Sequence, residues 1–235
     1  MKLGIMQPYF FPSIRYFALM HITDHWIFFD TPQFVRHSWM DRNRILKPQE
    51  GWQYIRVPLL SHHQKTPLNK IRIDNAQAWQ QTILSQFGHY KRIAPYYNEV
   101  MDLLNDLFAK RFDQLSDLNI ESLKRSCSYI GIDLKSDTFS RMNLTIPMVE
   151  KPDEWALYIC KAMNYNEYIN ALNGLSFFDR GKFEKQGISI KFLSYTNVPY
   201  QQNRKEFVPD LSILDLMMFL KPDEIMEMLE SYELI

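Results

Sequence analysis

Glycine is scarce in this chain, with 7 in 235 residues, and no glycine-rich phosphate loop of either common pattern can be built from them. Cysteine is scarcer. Cys127 and Cys160 are the only 2, and both fall in expected helices, so they read as buried reduced thiols rather than a disulfide framework. No apolar run approaches the length of about eighteen residues that a membrane span needs. Net charge is absent too: Lys+Arg and Asp+Glu are each 27, which removes a global electrostatic case for DNA or an anionic membrane. No repeat or low-complexity tract is present. No spacing yields a Ser/His/Asp or Cys/His triad, and His62-His63 has no identifiable third partner, so neither a metal nor a cofactor is expected. The N-terminus enters a strand directly, which argues against a cleavable signal and for a cytoplasmic protein.

What is present is apolar and aromatic: 46% hydrophobic and 14% aromatic residues suffice for a large core. The opening MKLGIMQPYFFPSIRYFALMHITDHWIFFD reads as strand, tight turn, helix, strand. Residues 2–6 are a short apolar run, and 13–22 carry Ile14, Phe17, Ala18 and Ile22 at helical spacing. Residues 26–29 form a second apolar run ending in Asp30. In an open α/β sheet the ligand crevice lies beyond the carboxyl ends of the strands. Gln7 and Asp30 both stand at such ends.

Further along, 31–48 is a long polar stretch and 52–59 a strand ended by Pro58. Residues 70–73 read as another short strand. Helices are expected at 76–87, 97–109 and 119–130, the last stopped by Gly131. The last third returns to α/β alternation: a strand and its exit at 133–141, then helix 152–164 and strand 168–170. After these come helix 180–186, strand 188–193 and helices 210–219 and 222–229. The expected fold is α/β: a mixed sheet with a Rossmann-like βαβ opening, and a helical subregion at about 76–130 within one domain spanning 1–235.

Five constellations could carry chemistry. Gln7-Pro8-Tyr9-Phe10 offers an amide and flat rings on a proline-stiffened turn. Asp30, with Gln33 following, leaves an apolar strand into a polar turn and is either a proton acceptor or a cap. Arg42-Asn43-Arg44 is the best local anion site in a neutral chain, and its arginines share a face if the segment is extended. His63, in the loop SHHQK, could act as a base, or the loop is simply polar. In the stretch 195–215, Tyr200 and Gln202 resemble the N-terminal knot; Ser212 could cap a helix on which Asp215 faces inward.

QPYFFP followed by a YF pair, D-x-x-QF and R-N-R-I, in this order, resembles the WbqC-like family. The likeness continues through KRIAPYY at 91–97, the loop at 200–207 and LSILDL at 211–216, and so covers essentially the whole chain. Three positions depart from the family pattern. Arg15 stands where Gly is usual, NALNG at 170–174 replaces a Ser-Gly-Pro type turn, and Asp41 replaces Asn beside Arg42. The family resemblance implies a role in making surface polysaccharide or O-antigen building blocks. A transferase moving an acyl or aminoacyl group onto a nucleotide-linked amino sugar fits that setting. On this reading Asp30, His63 and Asp215 are the catalytic candidates. Gln7, Pro8, Tyr9, Phe10, Gln33, Arg42, Asn43, Arg44, Tyr200, Gln202 and Ser212 bind substrate.

Two alternatives stay open. Nucleotidyl-transfer or adenylate-forming chemistry has a similar strand–turn–helix opening, but uses histidines in the first turn, and none occurs here before His21. A non-catalytic ligand-binding protein needs no triad or metal. A small-molecule partner is expected in every case, and a homodimer is left open.

Overall fold

The computed structural model describes residues 1–235. Its main sheet is built from β1 (Lys2–Met6), β2 (His25–Phe28), β5 (Ser136–Thr138), β6 (Glu167–Ala171), β7 (Ser189–Tyr195) and β8 (Tyr232–Leu234). The strand order is β5-β2-β1-β6-β7-β8, parallel throughout except for the antiparallel edge strand β8. A separate antiparallel ribbon pairs β3 (Arg42–Leu46) with β4 (Trp52–Arg56).

Eight helices complete the chain: α1 (Ile14–His21), α2 (Trp79–Gln86), α3 (Tyr97–Phe108), α4 (Leu115–Ile130), α5 (Glu154–Ala162), α6 (Arg180–Glu184), α7 (Ile213–Phe219) and α8 (Pro222–Leu229). The βαβ opening and the helical insertion therefore stand as expected, with α2, α3 and α4 filling the middle of the chain. The chain leaves β1 toward β2 on one side and later returns to β6 on the other. That change of direction makes the β1–β6 boundary the topological switch point, where open α/β sheets place their ligands.

Side-chain alternation assigns the two faces of the sheet. Leu3 and Ile5 of β1 and Tyr168 of β6 point to one face, into a core shared with α5 and with Phe183 of α6. Trp26, Phe28, Ile169 and Leu193 point to the other face and join a larger core. That core runs from α1 through the helical insertion to α7 and α8. Cys127 and Cys160 are free and buried, as expected, one in each core.

Several expectations are corrected. Residues 70–73 form no strand. Leu68–Lys70 is a 3-10 turn, and only single bridges join Ile73 to Leu59 and Arg72 to Gln114. Pro58, next to the bridged Leu59, and Pro67, at the start of the 3-10 turn, lack N–H donors, which limits a longer ladder. Arg42–Leu46, read as part of a polar loop, is a strand whose inward face opens with an asparagine rather than an apolar residue. The helix expected from 119 starts at Leu115, and Pro152 precedes α5, whose N-cap is Asp153. Gly131 ends α4 in the left-handed conformation, with φ 95°.

Gly4 lies at the centre of β1, opposite Trp26 of β2. A Cβ there would lie 2.4 Å from Trp26 Cε3, with the indole itself fully buried. Gly4→Ala is expected to lower stability by roughly 1–3 kcal/mol through overpacking. A lower urea midpoint at unchanged slope checks this; an unshifted midpoint contradicts it.

Candidate functional site

The six residues Gln7 to Pro12 carry the chain from β1 to α1 without regular structure, and most of them are buried. Buried backbone must find hydrogen-bond partners. Here distant side chains supply them. Tyr16 Oη donates to the Gln7 carbonyl at 2.8 Å, and Asn119 Nδ2 to that of Pro8 at 2.9 Å. Asn43 Nδ2 reaches the carbonyls of Phe10 and Phe11 at 3.1 and 2.9 Å, and Ser212 Oγ donates to that of Phe11 at 2.8 Å. The Ile213 N–H donates to the Pro12 carbonyl at 2.9 Å, and the Phe10 N–H to Trp39 at 2.9 Å.

This arrangement gives several expected substrate residues another task. Asn43 and Ser212 clamp the turn, Phe10 is fully buried in the larger core, and the Pro8 carbonyl is held by Asn119. Ser212 also caps α7, accepting from the Leu214 N–H at 3.3 Å.

The three expected catalytic residues lie outside the crevice described below. Asp30 is buried and bound by Ser140, whose N–H donates to Oδ1 at 3.0 Å and whose hydroxyl donates to Oδ2. It joins the end of β2 to the exit of β5. His63 is exposed in its loop, as is Gln33, which makes a single bridge to Pro67. Asp215 is fully buried, and its carboxylate accepts from the hydroxyls of Tyr90 and Tyr200 and from Gln202 Nε2 at 3.2 Å. Gln202 also closes the loop on itself through both Val208 backbone groups. Tyr90 accepts from the Leu46 N–H at 2.9 Å, tying this knot to β3.

Gln7 and Tyr9 do reach an open crevice at the switch point. Two pockets adjoin there, and Met6, Tyr9 and Asn173 line both. The first, of about 670 Å³, lies on the α5 face beyond the ends of β1, β2 and β6. Ile5 and Gln7, Tyr168 and Asn170 alternate into it, and Phe29, Trp155, Phe177 and Phe178 wall it. It holds no acid, base, histidine or cysteine. Its only titratable groups are Tyr9 and Tyr168, whose hydroxyls burial raises above the ordinary range. Asn170 donates to the Tyr168 hydroxyl, and Tyr9 to Gln7 Oε1 at 3.2 Å. A Cβ on Gly174 would come within 2.8 Å of Asn170 Oδ1, so glycine keeps this wall open.

The second lobe, of about 420 Å³, lies on the α1 face. Arg15, Arg44 and Asp210 line it, with Asn43, which also clamps the turn, and Tyr16, Trp39 and Tyr195. Arg44 lies between two indoles, its Cζ 5.3 Å from the Trp39 ring and 5.2 Å from that of Trp52. Arg42 shares its face of β3, as expected, yet it stacks 4.7 Å over Tyr54, donates to the His37 carbonyl and does not line the lobe. Asp41 forms no ion pair with it. The cationic partner of Arg44 is instead Arg15. Asp210, Trp155 and Phe29 were not singled out from sequence, and no local pattern marks them.

Burial pushes the Asp215 carboxyl up to about 6, against the donors that oppose the shift. The folded chain therefore holds this proton more tightly than the unfolded one, whose value is about 3.9. The stabilising contribution is full below about pH 4 and is lost as pH rises through about 6. Asp215→Asn removes the titration. Relative to this variant, the wild type is expected to gain roughly 2 kcal/mol of stability between pH 7 and pH 4.5. Paired urea titrations measure the gap, and one that is constant or shrinks on acidification contradicts the assignment.

Comparison with known proteins agrees with the motifs. A relative from Mycobacterium tuberculosis, described as "Uncharacterized protein Rv1507c", is 27% identical over 221 residues, covering 92% of each chain. No solved structure matches. The model of the WbqC-like protein family matches residues 7–227, from the buried turn to the last helix, and the chain belongs to that family.

Proposed function

We propose that this protein is a transferase of surface-polysaccharide (O-antigen) biosynthesis that acts on a nucleotide-linked amino sugar, moving an acyl or aminoacyl group to its amine. The observation that carries this reading is that an uncharged aromatic lobe and a cationic lobe stand side by side and share Met6, Tyr9 and Asn173 in their walls. A nucleotide-linked sugar has the same division. Its base is flat and neutral and suits the walls formed by Phe29 and Trp155, with the Gln7 and Asn170 amides as edge partners. Its diphosphate suits guanidinium groups. Asp210 is the one carboxylate that lines either lobe, and it replaces Asp30, His63 and Asp215 as the proton acceptor in this scheme. The amine nitrogen bonds the acyl carbon, the acyl bond to its leaving group breaks, and the amine proton passes to Asp210.

The lack of histidine, cysteine and lysine around both lobes favours a second reading, ligand binding without catalysis. Calorimetry with a panel of nucleoside-diphosphate amino sugars tests what the two readings share. At least one member is expected to bind, with Trp155→Ala weakening it roughly tenfold through lost stacking. No heat from any member sinks both. Incubating the bound sugar with an activated acyl donor then separates them: N-acylated product supports the transferase, and its absence with tight binding supports the carrier.

A further inference from the structure

Two guanidinium groups from different elements converge on Asp210. Arg15, at the start of α1, places Nη2 2.9 Å from Asp210 Oδ1, and Arg44 of β3 donates Nη2 to the Asp210 carbonyl at 2.8 Å. The two contacts differ in kind. Arg44 is fixed, because its planar head lies between two indole rings and its bond is to backbone. Its Nε is buried without an acceptor. Arg15 is movable. Its side chain is 48% exposed and that of Asp210 36%, and an ion pair this open to water is weak and easily exchanged. Asn197 contributes one bond to each partner, 3.3 Å from Arg15 Nε and 3.3 Å from Asp210 Oδ1.

Two like charges are thus held at the wall of an open lobe of about 420 Å³, and the one carboxylate there is paired with Arg15. No other anion lines that lobe. The carboxylate occupies the place on Arg15 that a ligand oxygen would take.

We propose that Arg15 and Arg44 form a site for the phosphate groups of the ligand, and that the Asp210 carboxylate is a built-in competitor that occupies Arg15 until phosphate displaces it. This deepens the transferase reading and rests on it for its consequence. Once Arg15 turns to the phosphate, the Asp210 carboxylate is left without its ion-pair partner and is free to take the amine proton beside the sugar. The base is then armed by the substrate it serves.

The site is tested with inorganic pyrophosphate as the probe, by calorimetry at low ionic strength on the full chain. Wild type is expected to bind it, and Arg44→Gln and Arg15→Gln each to weaken binding at least fivefold. Asp210→Asn is expected to tighten binding severalfold, because the competitor is gone. Asp210 has φ 57°, a conformation glycine adopts freely, so Asp210→Gly keeps the backbone carbonyl for Arg44 and should tighten binding as well. No binding by wild type, or unchanged or weaker binding in both Asp210 variants, overturns the proposal. The pyrophosphate pattern without affinity for any nucleotide-linked amino sugar upholds this site and removes the transferase reading. Sugar binding without the pattern does the reverse.

Discussion

Everything near the crevice depends on one constraint: six residues of irregular backbone, four of them buried, run through the interior. Two of the six, Pro8 and Pro12, bring no N–H, which leaves mainly carbonyls to satisfy. The side chains that meet them come from α1, β3, α4 and the cap of α7. The contacts from Asn43, Asn119 and Ser212 are buried, where an unpaired group costs about 1–3 kcal/mol, and that from Tyr16 is part-buried. The turn is therefore the point at which separate parts of the chain are sewn together. Its rigidity places Gln7 and Tyr9 over the end of the sheet, and it sets where α1 begins, and with it Arg15.

The sheet then divides the site. Because β1 and β6 run parallel with Leu3 beside Tyr168, alternate residues at their ends go to opposite faces. Ile5, Gln7 and Asn170 serve the α5 face, Ala171 serves the α1 face, and Met6 borders both lobes. The chemistry of the two lobes follows from what packs on each face. The α5 face receives aromatic side chains from the ends of β2 and α5. The α1 face receives a helix start and the ribbon with its stacked arginines. A chain with no net charge thereby holds one neutral pocket and one cationic pocket within a few residues of each other.

Where the periodic signal was strong, the sequence was informative. The β1–α1–β2 opening and the bounds of α8, from Pro222 to Leu229, follow from apolar spacing and a proline at the first turn. The crevice at strand ends followed from topology. The roles of Asn43, Ser212 and Asp215 did not. A buried asparagine serving two carbonyls and an asparagine serving a ligand are the same letter in the same local setting, and only the partner thirty-odd residues away separates them. Arg15 and Asp210 are far apart in the chain and meet through tertiary packing, so no window of sequence contains both.

Asp210 and Asp215 make the same point from one short stretch. One stands at the approach to α7 and the other in its first turn, and their surroundings set opposite behaviours. Asp215 is sealed among two phenols and an amide, has no route to the crevice, and is raised by burial. Asp210 stands at the rim in a left-handed turn, paired to a cation that water also reaches. The first fixes the loop that carries Tyr200 and Gln202 against the ribbon. With that loop fixed, the backbone of the second is held by Arg44 while its carboxylate keeps the freedom to change partner. A site that must exchange one anion for another needs both: a buried acid that does not move, and an exposed one that does.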